Sequence, residues 1–416
     1  MPALAPWSPE VPDATDQDGP SEPDEQPAGP ATVPFSGAVL SAGSYALTLT
    51  GPVQIGTPPQ TLFVQFDTGS GLSWVRSSRC TSGRGCNGDH FDEAASSTFT
   101  PGNGTKRGIT YSDGGRISCA LNNDTIAIAG VVLSSSAICT ADVVDEDGTP
   151  ELAGLFGLSP PRGANDETNM LYSLNSAFNS SLVSFWYNRT FVEEDLSSAS
   201  QLAGEITFGG RNPNRFIEDT TWLSVVPNTP YWTVKLDAMA IGSKQIAIDP
   251  VYTTQTIVDT GTTLIVLPPA IFDAINARMS ASLSPNRMYT VKCSVAPTLP
   301  PISFVLGGKN LTLEWHQQVI TDGSTCLSVF TRMSGFGIIL GVQFLRNFHV
   351  SFDYTPGALR VGLATPLGGI PAEPQMAIWT NHTSTPQQSH ALSPAASTLV
   401  TLVAAVAALA TSLAWL

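Results

Sequence analysis

Asp67-Thr68-Gly69-Ser70 and Asp259-Thr260-Gly261-Thr262 are two copies of one short motif in a chain of 416 residues. The second lies 192 positions after the first, from 67 to 259. Each copy closes an apolar run: Leu62-Phe63-Val64-Gln65-Phe66 before the first, Thr256-Ile257-Val258 before the second. Runs of this kind form strands, so each Asp is expected where a strand ends. One Asp-Thr-Gly alone reads equally well as an Asp that caps a turn. Two copies in matching contexts imply a two-fold arrangement that can bring two carboxylates face to face.

Two like charges about 3 Å apart cannot both ionise cheaply, so one proton is shared and the pair offers a base and an acid at the same pH. Such a pair titrates as a unit. Gly69 and Gly261 let backbone pass close to the carboxylates. Thr68 and Thr260 suit extended segments, and their hydroxyls can bond the opposite loop. Ser70 and Thr262 are placed to hydrogen-bond and orient the neighbouring carboxylates.

At these residues the chain resembles the pepsin-like aspartic endopeptidases, the standard example of such a shared-proton pair, and the likeness covers most of its length. Gly56-Thr57-Pro58-Pro59-Gln60 resembles the family's entry strand, and Trp74-Val75 follows at the family's spacing. Ile109-Thr110-Tyr111 resembles the start of the flap hairpin, with Tyr111, Ser112, Asp113 and Gly114 as flap and substrate-binding residues. Gly154-Leu155-Phe156-Gly157-Leu158 and Ile338-Ile339-Leu340-Gly341 are similar to the element that crosses behind each catalytic loop. Gly204–Gly210 and Ser351–Tyr354 fit the late strands of each half.

The resemblance implies an all-β, bilobal, pepsin-like fold: two pseudo-symmetric β lobes, an interlobe active-site cleft and a few short helices. It implies an acid endopeptidase with Asp67 and Asp259 catalytic, binding about six to eight residues of extended polypeptide. The carboxylates would hold a water between them, one removing its proton and the other protonating the scissile carbonyl. No covalent intermediate, metal or cofactor enters that scheme. Polypeptide substrates, pepstatin-type inhibitors and a monomer are implied. Trp74 would steady Tyr111 through its indole, and Asp113 would favour a basic residue before the cut bond.

The departures are Gly71-Leu72-Ser73 for the usual Ser-Asn-Leu, Ser112 for a usual Gly, and Val342-Gln343 where Asp-Val is common. They bear on flap motion and subsite preference. The reading from another class is a catalytically inactive binding or cell-wall protein on the same scaffold. Inactive relatives usually lack an Asp or the flap Tyr, and here both are present. An adhesin with a vestigial protease domain would need sticky repeats, and none is visible.

Charged residues make up 13% of the chain and the net charge is −15. That balance argues against nucleic acid as a partner and suits an acidic milieu. Plentiful Gly and Pro favour a turn-rich β protein. The six cysteines pair locally by spacing as Cys80-Cys86, Cys119-Cys139 and Cys293-Cys326, the first and last also matching family disulfides. No Cys-x-x-Cys favours zinc or redox chemistry. Five scattered histidines and the lack of a His-Glu-x-x-His or Gly-x-Ser-x-Gly motif leave zinc-peptidase and serine-hydrolase readings without residues. Sequons at Asn103, Asn123, Asn179, Asn188, Asn310 and Asn381 join the cysteines in indicating a secretory, oxidising route.

Residues 1–40 read as an acidic, Pro-rich, disordered leader. Met1–Glu10 has no basic start and no apolar run, so it does not read as a signal peptide. A truncated, misassigned or processed start is expected. The family's inhibitory pro-segment is basic, and this leader carries no Lys to place at the dyad, which leaves zymogen control open. The first lobe is expected over 41–216, the second over 217–366, and a Ser/Thr/Pro-rich linker over 367–397. Residues 398–416 are uncharged and apolar, the pattern of a GPI-attachment signal with Ser384 or Ser389 as attachment points. A transmembrane anchor or an amphipathic tail are the alternatives. Some fungal members of the family are GPI-anchored, and the chain resembles that arrangement. Ser44–Thr50, Thr125–Leu133 and Trp232–Ile241 read as strands, Pro268–Met279 and Asn169–Leu174 as helices, and Asp142–Glu151 and Glu193–Asp195 as exposed acidic loops.

Overall fold

The computed structural model describes residues 28–39, 47–81, 83–111, 114–145, 152–162, 168–188, 202–285, 288–322 and 325–368. Strands dominate, and helices among the described residues are short: Met170–Leu174, Pro250–Thr253, Pro269–Met279 and Val342–Leu345. Pro at the start and Ile271, Phe272, Ile275 and Met279 on one buried face account for the longest of them.

One pattern is built twice. In the first half, Gln60–Asp67 runs parallel to Gly154–Gly157, which pairs antiparallel with Trp74–Arg76, itself parallel to part of Val131–Asp145. In the second half, Thr256–Val258 runs parallel to Ile338–Leu340, which pairs antiparallel with Ile265–Leu267, itself parallel to Phe330–Arg332. The strands Gly154–Gly157 and Ile338–Leu340 are buried throughout, as expected of strands covered on both faces. At the crossings side chains would not fit. A Cβ on Gly157 would lie 2.7 Å from the Ser70 carbonyl oxygen, and one on Gly341 would lie 2.3 Å from that of Thr262. The halves meet where Leu182–Tyr187 pairs antiparallel with His349–Asp353 inside a 13-stranded sheet. The fold is the bilobal pepsin-like one.

The leader does not extend to residue 40. Ala31–Val39 is a strand whose first part pairs with Leu202–Phe208 and whose last part pairs with Leu47–Ile55. Val33 and Phe35 are buried in alternation with exposed Thr32 and Pro34. Pro34 is tolerated because this part of the strand is paired on one side only. The stretch Thr125–Leu133 is two strands, joined at Ala129 and Gly130, whose φ values of 54° and 82° make the tight hairpin turn. Of the run Asp142–Glu151, Asp142–Asp145 lies in a strand and the rest is outside the described residues, as is Glu193–Asp195.

The three disulfides join the expected pairs, with Cα separations of 5.4, 5.4 and 5.2 Å. Asn103, Asn179 and Asn310 are exposed, Asn123 and Asn188 are half-buried, and Asn381 lies outside the described residues. So do the acidic start of the chain, the linker from 369 onward and the apolar tail.

His349 is buried against Phe216, their rings 4.6 Å apart, and its Nδ1 has no hydrogen-bond partner. Burial, and then the charge of Arg211, lower its pKa from 6.5 to about 3. A depressed imidazole contributes stability that is complete above the unfolded value near 6.5 and declines as pH falls toward 3. His349→Phe keeps a ring against Phe216 and removes this titration. The fall in melting temperature between pH 7 and pH 4 should therefore shrink in that variant, and thermal scans in matched buffers giving equal falls would refute the assignment.

Candidate active site

Asp67 ends its strand and Asp259 follows its own, so each carboxylate leaves a rigid element at the start of a loop. Both are buried. The loops bond to each other before they bond to anything else. Thr68 N donates to Thr260 Oγ1 at 3.0 Å, and Thr260 N donates to Thr68 Oγ1 at 2.9 Å. The two hydroxyls then donate across the interface, Thr68 to the Val258 carbonyl at 3.1 Å and Thr260 to the Phe66 carbonyl at 2.7 Å. Gln65 Nε2 adds a bond to the Gly261 carbonyl at 3.3 Å.

Each carboxylate is held from its own loop in the same way. Asp67 accepts from Gly69 N at 2.7 Å and Ser70 Oγ at 2.5 Å. Asp259 accepts from Gly261 N at 2.8 Å and Thr262 Oγ1 at 2.6 Å. The two glycines have a further duty that only the fold reveals. A Cβ on Gly69 would sit 2.7 Å from Asp259 Oδ1, and one on Gly261 would sit 2.2 Å from Asp67 Oδ1. Each glycine lies against the carboxylate of the other lobe, and any side chain there would push the pair apart.

Burial first, and then the charge of Asp259, raise the pKa of Asp67 from 3.8 to about 8, against the lowering effect of the bonds from Ser70 and Gly69. The pair therefore retains a proton across the acidic range, a property of the two carboxylates together. Because of that proton, one oxygen can accept from a water while the other carboxyl group donates.

Trp74 is buried and its Nε1 donates to Tyr111 Oη at 2.8 Å. Tyr111 closes the hairpin of Lys106–Thr110 and Arg116–Ile128, its N donating to the Gly115 carbonyl at 2.8 Å. Gly114 makes the turn with φ of 96°. Ser112 and Asp113 lie outside the described residues. A surface groove of about 630 Å3 lined by Asn123, Val131–Ala137 and Tyr172 contains none of the dyad or flap residues.

Sequence reasoning missed several supporting groups. Ser73 Oγ accepts from Gly157 N at 3.0 Å, which ties the first catalytic loop to the strand behind it. Trp232 is fully buried, and its Nε1 donates to the Leu158 carbonyl at 2.8 Å, a bond between the halves. Leu158 N in turn donates to the Asp67 carbonyl at 2.8 Å. No local pattern marks these contacts, since each joins residues far apart in the chain.

The family described as "Eukaryotic aspartyl protease" matches residues 48–366. The chain belongs to this family. It is 32% identical over 324 residues to a probable vacuolar protease A of Arthroderma benhamiae, covering 75% of this chain and 77% of the relative. It is 31% identical over 323 residues to pepsin A of Rhinolophus ferrumequinum, covering 76% and 80%. It is 33% identical over 341 residues to napsin-A of Mus musculus, covering 76% of each. This eukaryotic aspartyl protease is an aspartic-type endopeptidase, a peptide hydrolase acting on polypeptides.

Gly261→Ala tests the contact between each loop and the opposite carboxylate. The added methyl displaces Asp67, and an ångström of misplacement is worth about 100-fold in rate. Turnover of a peptide substrate should fall by at least that factor in protein whose circular dichroism shows it to be folded. Near-normal kcat would show that the close approach is not needed.

Proposed function

We propose that Asp67 and Asp259 carry the peptide hydrolysis of this endopeptidase. The observation that supports the reading most is the paired geometry: two buried carboxylates, each fixed by its own loop and pressed against the other loop's glycine. A water held between them loses a proton to the ionised group as it attacks the scissile carbonyl. The protonated group gives its proton to the carbonyl oxygen, forming a neutral gem-diol, and proton transfer to the leaving nitrogen breaks the bond. Tyr111, held by Trp74, closes over an extended substrate, and Ser112, Asp113 and Gly114 share in binding it. Asp113 would favour a basic residue before the cut bond. Thr68, Ser70, Thr260 and Thr262 orient the pair. The reading as an inactive binding protein is not favoured, since both Asp residues and the flap Tyr are present.

The finer placement of the protein belongs to the same proposal. Three disulfides and several exposed sequons support passage through a secretory compartment. The Pro/Ser/Thr-rich stretch before the apolar residues 398–416 supports attachment to a cell surface through a GPI signal, with the lobes dividing near residue 216. Release of activity from cells by a phosphatidylinositol-specific phospholipase is the expected result. Activity that stays with the membrane fraction would favour a spanning anchor.

Asp67→Asn should lower kcat by at least ~10³-fold, the scale of a lost general acid or base. The same variant has a thermodynamic signature. A carboxyl whose folded pKa is raised from 3.8 to about 8 contributes stability present below pH 3.8 and lost as pH rises toward 8. At pH 7 the variant should therefore melt at or above the temperature of the unmodified protein, and the advantage should vanish near pH 4. Retained turnover would overturn the assignment of the dyad.

A further inference from the structure

Tyr187 is buried at 3% exposure, and its hydroxyl has no hydrogen-bond partner. It lies on the strand Leu182–Tyr187, directly across from Gly204, with Phe35 edge-on at 5.8 Å and Phe185 stacked at 6.4 Å. A buried phenol without a partner carries a desolvation penalty, so its position calls for an explanation. The ring borders a small pocket of about 10 Å3, whose other walls are Phe35, Leu49, Phe66, Phe185 and Thr260. Tyr187 and Thr260 are the two polar side chains on that wall. Thr260 directly follows Asp259, and its hydroxyl joins the two catalytic loops.

We propose that Tyr187 is a positioning residue for the dyad, and that its hydroxyl and one water in this pocket form a polar support beneath Thr260 and Asp259. The proposal rests on the reading of Asp67 and Asp259 as the catalytic pair. The volume is that of a single water. Thr260 Oγ1 gives its proton to the Phe66 carbonyl and accepts from Thr68 N, which leaves room for one further donor. The water supplies that donor and accepts from the Tyr187 hydroxyl. Both O–H dipoles then point toward Thr260, the residue next to Asp259, and support the ionised state of the pair.

The surroundings isolate this pairing. Burial first, and then the charge of Asp259 among the described residues, raise the pKa of the Tyr187 phenol. On the neighbouring strands, Glu205 stands across from Trp186 rather than Tyr187 and is paired with Arg215. Asp353 is paired with Arg360, and His349 is packed on Phe216. Tyr354 shares the core at the end of its strand and is uncharged, its pKa raised by burial. Asp67 faces Asp259 from the other catalytic loop. The strands Ala31–Val39, Ile265–Leu267 and Ile338–Leu340 and the helix Val342–Leu345 bring no charge.

Removing the hydroxyl leaves the ring in place and strips Asp259 of that support. In the full-length protein, Tyr187→Phe should shift the acid limb of the kcat/KM profile upward by about half a pH unit, the scale of one neutral hydrogen-bonding group. KM for the same peptide at a fixed pH should not follow. Leu49→Phe adds volume beside the pocket and displaces the water, so it should shift the limb the same way. A merely structural Tyr187 would lower the melting temperature of both variants and leave the acid limb in place, and that result overturns the proposal. Asp259→Asn is run alongside. If it abolishes turnover while the limb stays fixed in the other two, this inference fails and the dyad stands. If it remains active, the dyad reading fails and the inference with it.

Discussion

Two crossed hydrogen bonds between Thr68 and Thr260, with one more from each hydroxyl to the opposite loop's backbone, hold the rest of the site in place. They run between two loops from opposite halves of the chain, and both side chains are buried. Bonds in such a setting are stronger than in water, and leaving any one of the four donors unmet would be correspondingly expensive. They hold two carboxylates together that repel each other whenever both are charged. The order of the motif then does the positioning. With the second residue locked to the other lobe, the first directs its carboxylate into the space between, and the third must lie against the opposite carboxylate. Only glycine fits there.

The scaffold extends that constraint outward. Each catalytic loop rests on a strand that crosses behind it, and the crossings at Gly157 and Gly341 exclude even a methyl group. The halves are joined again by the pairing of Leu182–Tyr187 with His349–Asp353 and by the Trp232 bond to Leu158. Movement of one lobe against the other would strain all of these together. Rigid strands beneath loops are a sound basis for a site that must be accurate to a fraction of an ångström.

Burial has opposite consequences at two titratable groups. At Asp67 it holds a proton on the pair, as the chemistry requires. At His349 it keeps the imidazole neutral, which weakens the fold as the pH falls. The physics is the same at both, since a low-dielectric interior disfavours charge whatever its sign.

The candidate pair was legible in the chain because each Asp sits beside its own strand, glycine and hydroxyl, all within four residues. The hairpin of Lys106–Thr110 and Arg116–Ile128, the helix at Pro269–Met279 and the cysteine pairs were legible for the same reason, as local patterns. Ala31–Val39 was not. It continues the acidic, Pro-rich run before it, and it becomes a strand because Leu202–Phe208, more than 160 residues later, supplies its partner. Thr125–Leu133 read as one strand because its two-residue turn carries Ala129, a residue that rarely takes positive φ. The sequence by itself determined which carboxylates, glycines and hydroxyls make up the candidate site, since they lie together within one motif. Tertiary structure alone decided which glycine lies against which carboxylate, which phenol is left without a partner, and where the leader becomes a strand. Those are contacts between segments distant in the chain, and nothing local records them.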